Sequence, residues 1–430
     1  MSGPTLPGVS HRDLSDVELR ALAFVDEREL VRDLVDLIAV PSVSGSDAES
    51  DVQHLLAKQL RGLDLDVDLW QLDLPRLTAD PGFPGWEAVR SESWGLVASS
   101  GPGEPELVLQ GHVDVVPSGD LGQWRTDPFT ATVEGRTVHG RGTCDMKAGV
   151  VANLAAARAV RAAGIELSRP YALQLVVGEE DGGLGAFATL DRGHRGRACI
   201  ITEPTGGTIT TANAGALTFE LRVPGVATHG STSYAGVSAL EKFLPVHAAL
   251  AALQERRNRD VHPLMAEYPV AYPLSIGRVA CGDWASSVPD LLVAEGRYGV
   301  ALGEDPAAAR AALEEAVADA AAADPWLREH RPTVAWTGGQ FASGAYAEDD
   351  RALYDLVAGA HADVTRGPRP RERGAPYGSD LRLYAGAGVP TLHYGPGDVR
   401  LAHGPEEAVS IDELVAVTES LVLALVRACL

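Results

Sequence analysis

Three apolar runs of strand length, separated by helical segments, each end on polar residues. ELVLQGHVD (106–114) finishes with His112 and Asp114, YALQLVVGEE (171–180) with Glu179 and Glu180, and RACIITEP (197–204) with Glu203. MKAGVVANLAAARAVRAAG (146–164), between the first two, reads as an Ala-rich helix closed by Gly164, and GLGAFATL, between the second and third, as another helix. Strand, helix, strand, helix, strand demands right-handed crossovers, hence an α/β fold with a mostly parallel sheet flanked by helices on both faces. In such sheets ligands bind beyond the C-terminal ends of the strands. Three separate ends therefore deliver carboxylates and an imidazole to one crevice. Positions i and i+2 of a strand share a face, so His112 and Asp114 point the same way.

Elsewhere the pattern changes. RELVRDLVDLIAV (28–40) reads as an amphipathic helix ended by Pro41, and PSVSGSD as a loop. After Glu203, TITTANAGALTFELRVPGVATHG alternates as antiparallel strands do. SALEKFLPVHAALAALQERRN follows as a helix, PLSIGRVACGD and LLVAEGRYGVAL as strands, and DPAAARAALEEAVADAAAADPW as a second helix. This order predicts an inserted α+β domain over 212–325. From about 332, TVAWTGG, the helix DDRALYDLVAGAHADV, the strand VPTLHYG and the helix SIDELVAVTESLVLALVRACL return to the first pattern. The larger domain is then discontinuous, 1–211 plus 326–430. The long segment DLPRLTADPGFPGWEAVRSESW (73–94) carries no motif.

With 430 residues, 45% of them hydrophobic, the chain can fill two cores. A formal charge of −23 opposes binding to nucleic acid or to anionic membranes. The four cysteines include no CxxC pair, which fits a reduced, cytoplasmic setting. MSGPTLPGVSHRDLSDVELRALAF lacks the basic-then-apolar order of a signal peptide, and no apolar run reaches the roughly 18 residues of a membrane span.

His, Asp and Glu without cysteine suit a hydrolytic site for zinc or a similar divalent ion. The candidate ligands are His112, Asp145, Glu180, Glu203 and His403. A catalytic zinc usually takes three protein ligands plus water, so five favour two metals sharing a carboxylate.

GHVDVVP, GRGTCDMKAG, VVGEEDGGLGA, ITEPT and LAHGPEE, in that order, resemble the motifs of the metallopeptidase family containing acetylornithine deacetylase, succinyl-diaminopimelate desuccinylase, aminoacylase and carboxypeptidase G. The resemblance covers most of the chain, the inserted segment included. It implies a zinc-peptidase-like catalytic domain with an inserted lid and dimerisation domain. It implies that His112 and Glu203 hold one metal, Glu180 and His403 the other, and that Asp145 bridges them, with a cis Asp145–Met146 bond. Asp114 would orient the His112 imidazole, and Glu179 would be the general base. His229, in GVATHGSTSYAG, matches the histidine offered to the scissile carbonyl, often from the neighbouring subunit. Arg297 matches the residue holding the substrate carboxylate. The YGSDLR loop, with Gly378 and Ser379, matches the segment lining the substrate end of the cleft. Ser286 stands where the family has an asparagine. Cys144, His139, His247 and His393 read as ordinary residues.

The resemblance thus implies a homodimeric amidohydrolase with two divalent ions, zinc first and cobalt or manganese as alternatives, that deacylates an N-acyl amino acid. A dipeptidase or carboxypeptidase of the same family is the alternative substrate reading. A binding protein that kept the fold and lost the chemistry is the rival of another class; the chain's retention of Glu179 and all five ligand candidates argues against it.

Overall fold

A computed structural model describes residues 13–346 and 351–430. The N-terminal stretch read above for leader character falls partly on residues 1–12, and the helix expected from 349 begins on residues 349–350; both portions lie outside the described residues.

In chain order the strands are β1 (Asp66–Gln71), β2 (Trp94–Ser99), β3 (Leu107–His112), β4 (Thr132–Glu134), β5 (Thr137–His139), β6 (Tyr171–Val176), β7 (Cys199–Pro204), β8 (Ile209–Asn213), β9 (Gly215–Pro224), β10 (Leu274–Cys281), β11 (Leu291–Val300), β12 (Thr333–Phe341), β13 (Gly344–Ala345), β14 (Glu372–Ala375), β15 (Thr391–Gly395) and β16 (Ala408–Ser410). The largest sheet runs β1-β2-β6-β3-β7-β15-β8-β13, with β14 beside β8. Its centre, β6-β3-β7-β15, is parallel, as the alternation of strands and helices requires. Antiparallel strands close both sides.

The central strands are apolar throughout because both of their faces are covered. Leu107, Leu109, Leu173, Leu175 and Ile200 join one core with the helices Ala148–Ala162 and Ile411–Cys429. Val108, Ala172, Val176, Cys199 and Ile201 enter a second core with Leu184–Asp191 and Leu381–Gly386. Gly149 sets the approach of the first helix: a Cβ there would lie 2.1 Å from the Thr202 carbonyl oxygen.

The four-stranded sheet has the order β10-β11-β9-β12. Its β9 alternates buried and partly exposed residues. Leu217, Phe219, Leu221 and Val223 pack with Leu292 and Ala294 against the helices Ala239–Arg257 and Pro306–Ala323, leaving a polar face opposite. One expectation is corrected here. TVAWTGG, placed above with the larger unit, pairs antiparallel with β9 from Thr333↔Arg222 to Phe341↔Ala216 across a bulge. Its half-exposed pattern suits an edge strand beside β9, which a short run cannot reveal by itself. A third sheet, β16-β5-β4, ties the C-terminal strand to the segment entering Asp145. No described helix is long and apolar enough to cross a membrane.

Candidate metal centre

β3, the loop before Ala148–Ala162, β7, the turn after β6 and the loop before β16 each contribute one side chain. The His112 Nε2 lies 3.0 Å from Asp145 Oδ1 and 3.6 Å from Glu203 Oε1. The His403 Nε2 lies 3.0 Å from Glu180 Oε2 and 3.4 Å from Asp145 Oδ2. Two ligand sets result, His112–Asp145–Glu203 and Asp145–Glu180–His403, and within each the ligand atoms lie within 4.8 Å of one another. Asp145 belongs to both. The Asp145–Met146 peptide is cis, as the resemblance implied.

The surroundings orient these groups. His112 Nδ1 lies 3.0 Å from the Asp114 carbonyl oxygen. A carbonyl only accepts, so Nδ1 carries the proton and Nε2 faces the carboxylates. The Asp114 carboxylate sits farther off, 3.7 Å from Nδ1. Its oxygens instead accept from the Glu179 and Glu180 backbone N–H groups and from the Ser44 hydroxyl, at 3.3, 3.2 and 3.0 Å. The backbone of Asp114 thus orients the imidazole while its side chain clamps the turn that carries Glu179 and Glu180.

A second clamp, on residues given no role from the sequence, is the buried Arg141–Glu407 pair. Glu407 Oε1 accepts from the Cys144 and Asp145 N–H groups, both at 3.0 Å, and Oε2 receives Arg141 at 2.5 Å. Arg141 also donates to the His403 carbonyl at 3.1 Å, holding a residue whose φ of 63° is unusual for a non-glycine. Both residues stand inside quoted motifs, yet nothing in sequence announces that a side chain reaches back to a loop backbone. Lys147 anchors the same loop by donating to the Leu37 and Val40 carbonyls. Cys144 is buried with Sγ 3.1 Å from the Asp398 carbonyl, a packing position.

Negative charge is in excess. Burial, then Asp145, raises the Glu180 and Glu203 carboxyls, and burial with Glu203 and Asp380 holds Glu179 well above its ordinary range. Burial alone would depress His112, but Asp145, Glu203 and Asp114 drive it well upward. His403 is pushed up to about 11 by Glu180 first. Burial opposes ionisation of Asp145 too, yet His112 and His403 hold it below the usual carboxylate range. The acids thus draw positive charge onto both imidazoles, a demand that divalent cations would meet instead. Glu180 Oε1 is buried without a hydrogen-bond partner, a further free ligand atom. The donors therefore fit a pair of divalent ions.

A cleft of about 440 Å³ leads from Glu179, Glu180 and His403 past Tyr377 and Gly378 to Arg297 and Glu87. Arg297 donates to the Pro376 carbonyl at 2.9 Å and forms no ion pair among the described residues. The segment 73–94 acquires a place. Glu87 and Ala88 donate to Asp181 Oδ2, Arg90 pairs with Asp181 and Glu49, and the Thr218 hydroxyl donates to Glu87. This segment therefore walls the cleft between the two larger sheets. Three expected residues stand elsewhere. Ser379 is buried and hydrogen-bonded to His393 at 3.0 Å, away from the cleft lining, so His393 also supports the site loop. His229 is exposed, its Nδ1 2.7 Å from Ser231, and does not line the cleft. Ser286 lies beside it, its carbonyl accepting the Gly230 N–H at 2.6 Å.

A parallel α/β sheet whose strand ends gather two ligand sets around one shared carboxylate defines a metal-dependent hydrolase. Residues 108–427 match Peptidase family M20/M25/M40, and the chain belongs to that family, whose members hydrolyse amide or peptide bonds. It is 27% identical over 432 residues to an N-formyl-4-amino-5-aminomethyl-2-methylpyrimidine deformylase of Halalkalibacterium halodurans, covering 95% of this chain and 96% of the relative. It is 31% identical over 396 residues to a succinyl-diaminopimelate desuccinylase of Stenotrophomonas maltophilia, covering 89% and 94%. Among solved structures, the M20 family metallo-carboxypeptidase Sso-CP2 of Sulfolobus solfataricus shares the fold, with TM-score 0.73 at 15% identity over 92% of this chain and 98% of that one.

Proposed function

We propose that this enzyme removes the acyl group from an N-acyl amino acid, in the manner of acetylornithine deacetylase, with Glu179 as general base. The observation that carries the reading is Asp145 shared between two ligand sets, with Glu179 at the head of the same cleft. The deformylase and the desuccinylase among its relatives support an acyl group as the part removed from the amine. Two divalent ions, zinc first with cobalt or manganese as alternatives, would supply Lewis acidity, bringing the pKa of water from 15.7 towards about 7. His112, Asp145 and Glu203 would hold one, and Asp145, Glu180 and His403 the other.

The residues of the chain then do the proton work. Glu179, its carboxyl raised by burial and neighbouring acids, takes a proton as the water oxygen bonds to the acyl carbon. It returns that proton to the nitrogen as the C–N bond breaks, giving a carboxylic acid and an amine. Asp114 fixes the backbone beneath Glu179 and Glu180. Arg297, without an acidic partner among the described residues and depressed in pKa by burial, would receive the substrate carboxylate beside Gly378. Ser379 would act through the loop, by way of His393.

His229 lies apart from the cleft of its own chain, which supports a homodimer in which it serves the second copy. We assign 1–211 and the chain after Phe341 to the catalytic domain and 212–341 to the lid and dimerisation domain, so that the second crossing moves from 325/326 and β12 stays with its sheet. The four free cysteines support a cytoplasmic enzyme. A dipeptidase or carboxypeptidase is the second reading, because a peptide offers the same amide and carboxylate.

A metal-supplemented screen of N-acetyl-, N-succinyl- and N-formyl-amino acids beside dipeptides tests the substrate; turnover confined to dipeptides overturns deacylation. Glu179→Ala is expected to abolish hydrolysis while metal content stays at about two per chain. Equal turnover would remove the mechanism. Light scattering is expected to give twice the 45.2 kDa chain mass.

A further inference from the structure

We propose that the Tyr377 hydroxyl is a catalytic hydrogen-bond donor to the acyl oxygen of the substrate, supplied by the same chain that holds the metals. The inference rests on the hydrolytic reading of the site. Tyr377 lines the cleft with Glu179, Glu180 and His403. Its hydroxyl is buried and has no hydrogen-bond partner among the described residues. Buried hydroxyls are almost always paired, and this one, on a side chain that lines the reaction cleft, is left for a ligand to pair.

The ring is packed on one face, and the backbone on either side of it is constrained. It stacks on His393, with centroids 6.5 Å apart and planes 8° apart, and His393 is fixed by Ser379. The preceding carbonyl, of Pro376, accepts from Arg297 at 2.9 Å. The following residue must be glycine, since a Cβ at Gly378 would lie 2.5 Å from Phe341. A donor fixed before the reaction begins is what stabilises charge developing on an oxygen. A phenol, with an ordinary pKa of about 10, carries its proton near neutrality and is able to donate.

In the reaction, the water oxygen bonds to the acyl carbon while the carbonyl π pair moves onto its oxygen, which accepts the Tyr377 O–H bond. When the C–N bond breaks, the carbonyl re-forms and the phenol keeps its proton throughout. Tyr377 is thus neither acid nor base, and Glu179 remains the sole proton carrier.

The test uses the full-length, metal-loaded protein and a substrate found by the screen. Tyr377→Phe removes only the hydroxyl and is expected to lower kcat about 100-fold with KM nearly unchanged, the scale of one lost oxyanion donor. Metal content should stay at two per chain. Affinity for a phosphinate analogue of the tetrahedral species should fall by a similar factor, while affinity for the product amino acid holds. Tyr377→Met guards against a packing effect: a loss shared equally by both variants supports the hydroxyl, whereas activity retained by Tyr377→Phe alone overturns it. Unchanged kcat and analogue affinity in Tyr377→Phe overturn the assignment and leave the wider mechanism standing. A wild-type protein that hydrolyses nothing in the panel overturns the proposed function and this inference with it.

Discussion

Asp114 shows how much a single carboxylate can organise. Fully buried, it accepts from two consecutive backbone N–H groups and a serine hydroxyl, so it fixes the turn that carries Glu179 and Glu180. Its carbonyl separately sets the His112 tautomer. Replacing the side chain spares the carbonyl but frees the turn. Asp114→Ala is therefore expected to weaken metal binding about 10–100-fold, the usual cost of losing a group that supports a ligand. Competition with a chelator reads the change, and unaltered affinity would show that the clamp is dispensable.

At the scale of elements, the site depends on how closely the helix Ala148–Ala162 lies on the sheet. Asp145 sits just before this helix, Glu203 ends the strand beneath it, and Gly149 is the point of contact with Thr202. Gly149→Ala should improve helix propensity yet destabilise the protein by about 1–3 kcal/mol, because overpacking against a backbone carbonyl outweighs the gain. Urea denaturation measures the sign. The wall formed by residues 73–94 is a second such device. Its Arg90 makes charge-assisted bonds to Asp181 and Glu49 in surroundings that exclude water, so the irregular stretch between the short helix Leu74–Thr78 and β2 is fixed at the cleft edge by buried ion pairs.

For the whole molecule, the concentration of acids at one sheet edge makes folding and metal binding a linked equilibrium. Glu179, Glu180 and Glu203 are all raised by burial first, then Glu180 and Glu203 by Asp145 and Glu179 by Glu203, so the metal-free protein carries an electrostatic cost that two divalent ions would relieve. Chelation is expected to lower Tm, and zinc, cobalt or manganese to restore it. A free ion at 100 times its Kd contributes about 2.7 kcal/mol. A Tm indifferent to both treatments would contradict the two-ion reading.

The central parallel strands and their helices were legible in sequence because each carries its own period and its own punctuation; the runs 106–114, 171–180 and 197–204 overlap Leu107–His112, Tyr171–Val176 and Cys199–Pro204, although Glu179 and Glu180 fall in the turn beyond Val176 and not in the strand. The candidate ligands were legible as residue types at those ends. That His112, Asp145 and Glu203 meet, and that Asp145 is shared with Glu180 and His403, was decided by strand order and by a loop returning from the far end of the chain. Local pattern is equally silent on the sheet β12 joins, the reach of Glu407 to the Asp145 backbone, the place of residues 73–94, and the unpartnered hydroxyl of Tyr377. Periodicity reports which face of an element is apolar, a property of neighbours in the chain. Which polar groups come within bonding distance, and which are left without a partner, depends on contacts between residues up to hundreds of positions apart, and only the packed tertiary structure sets those.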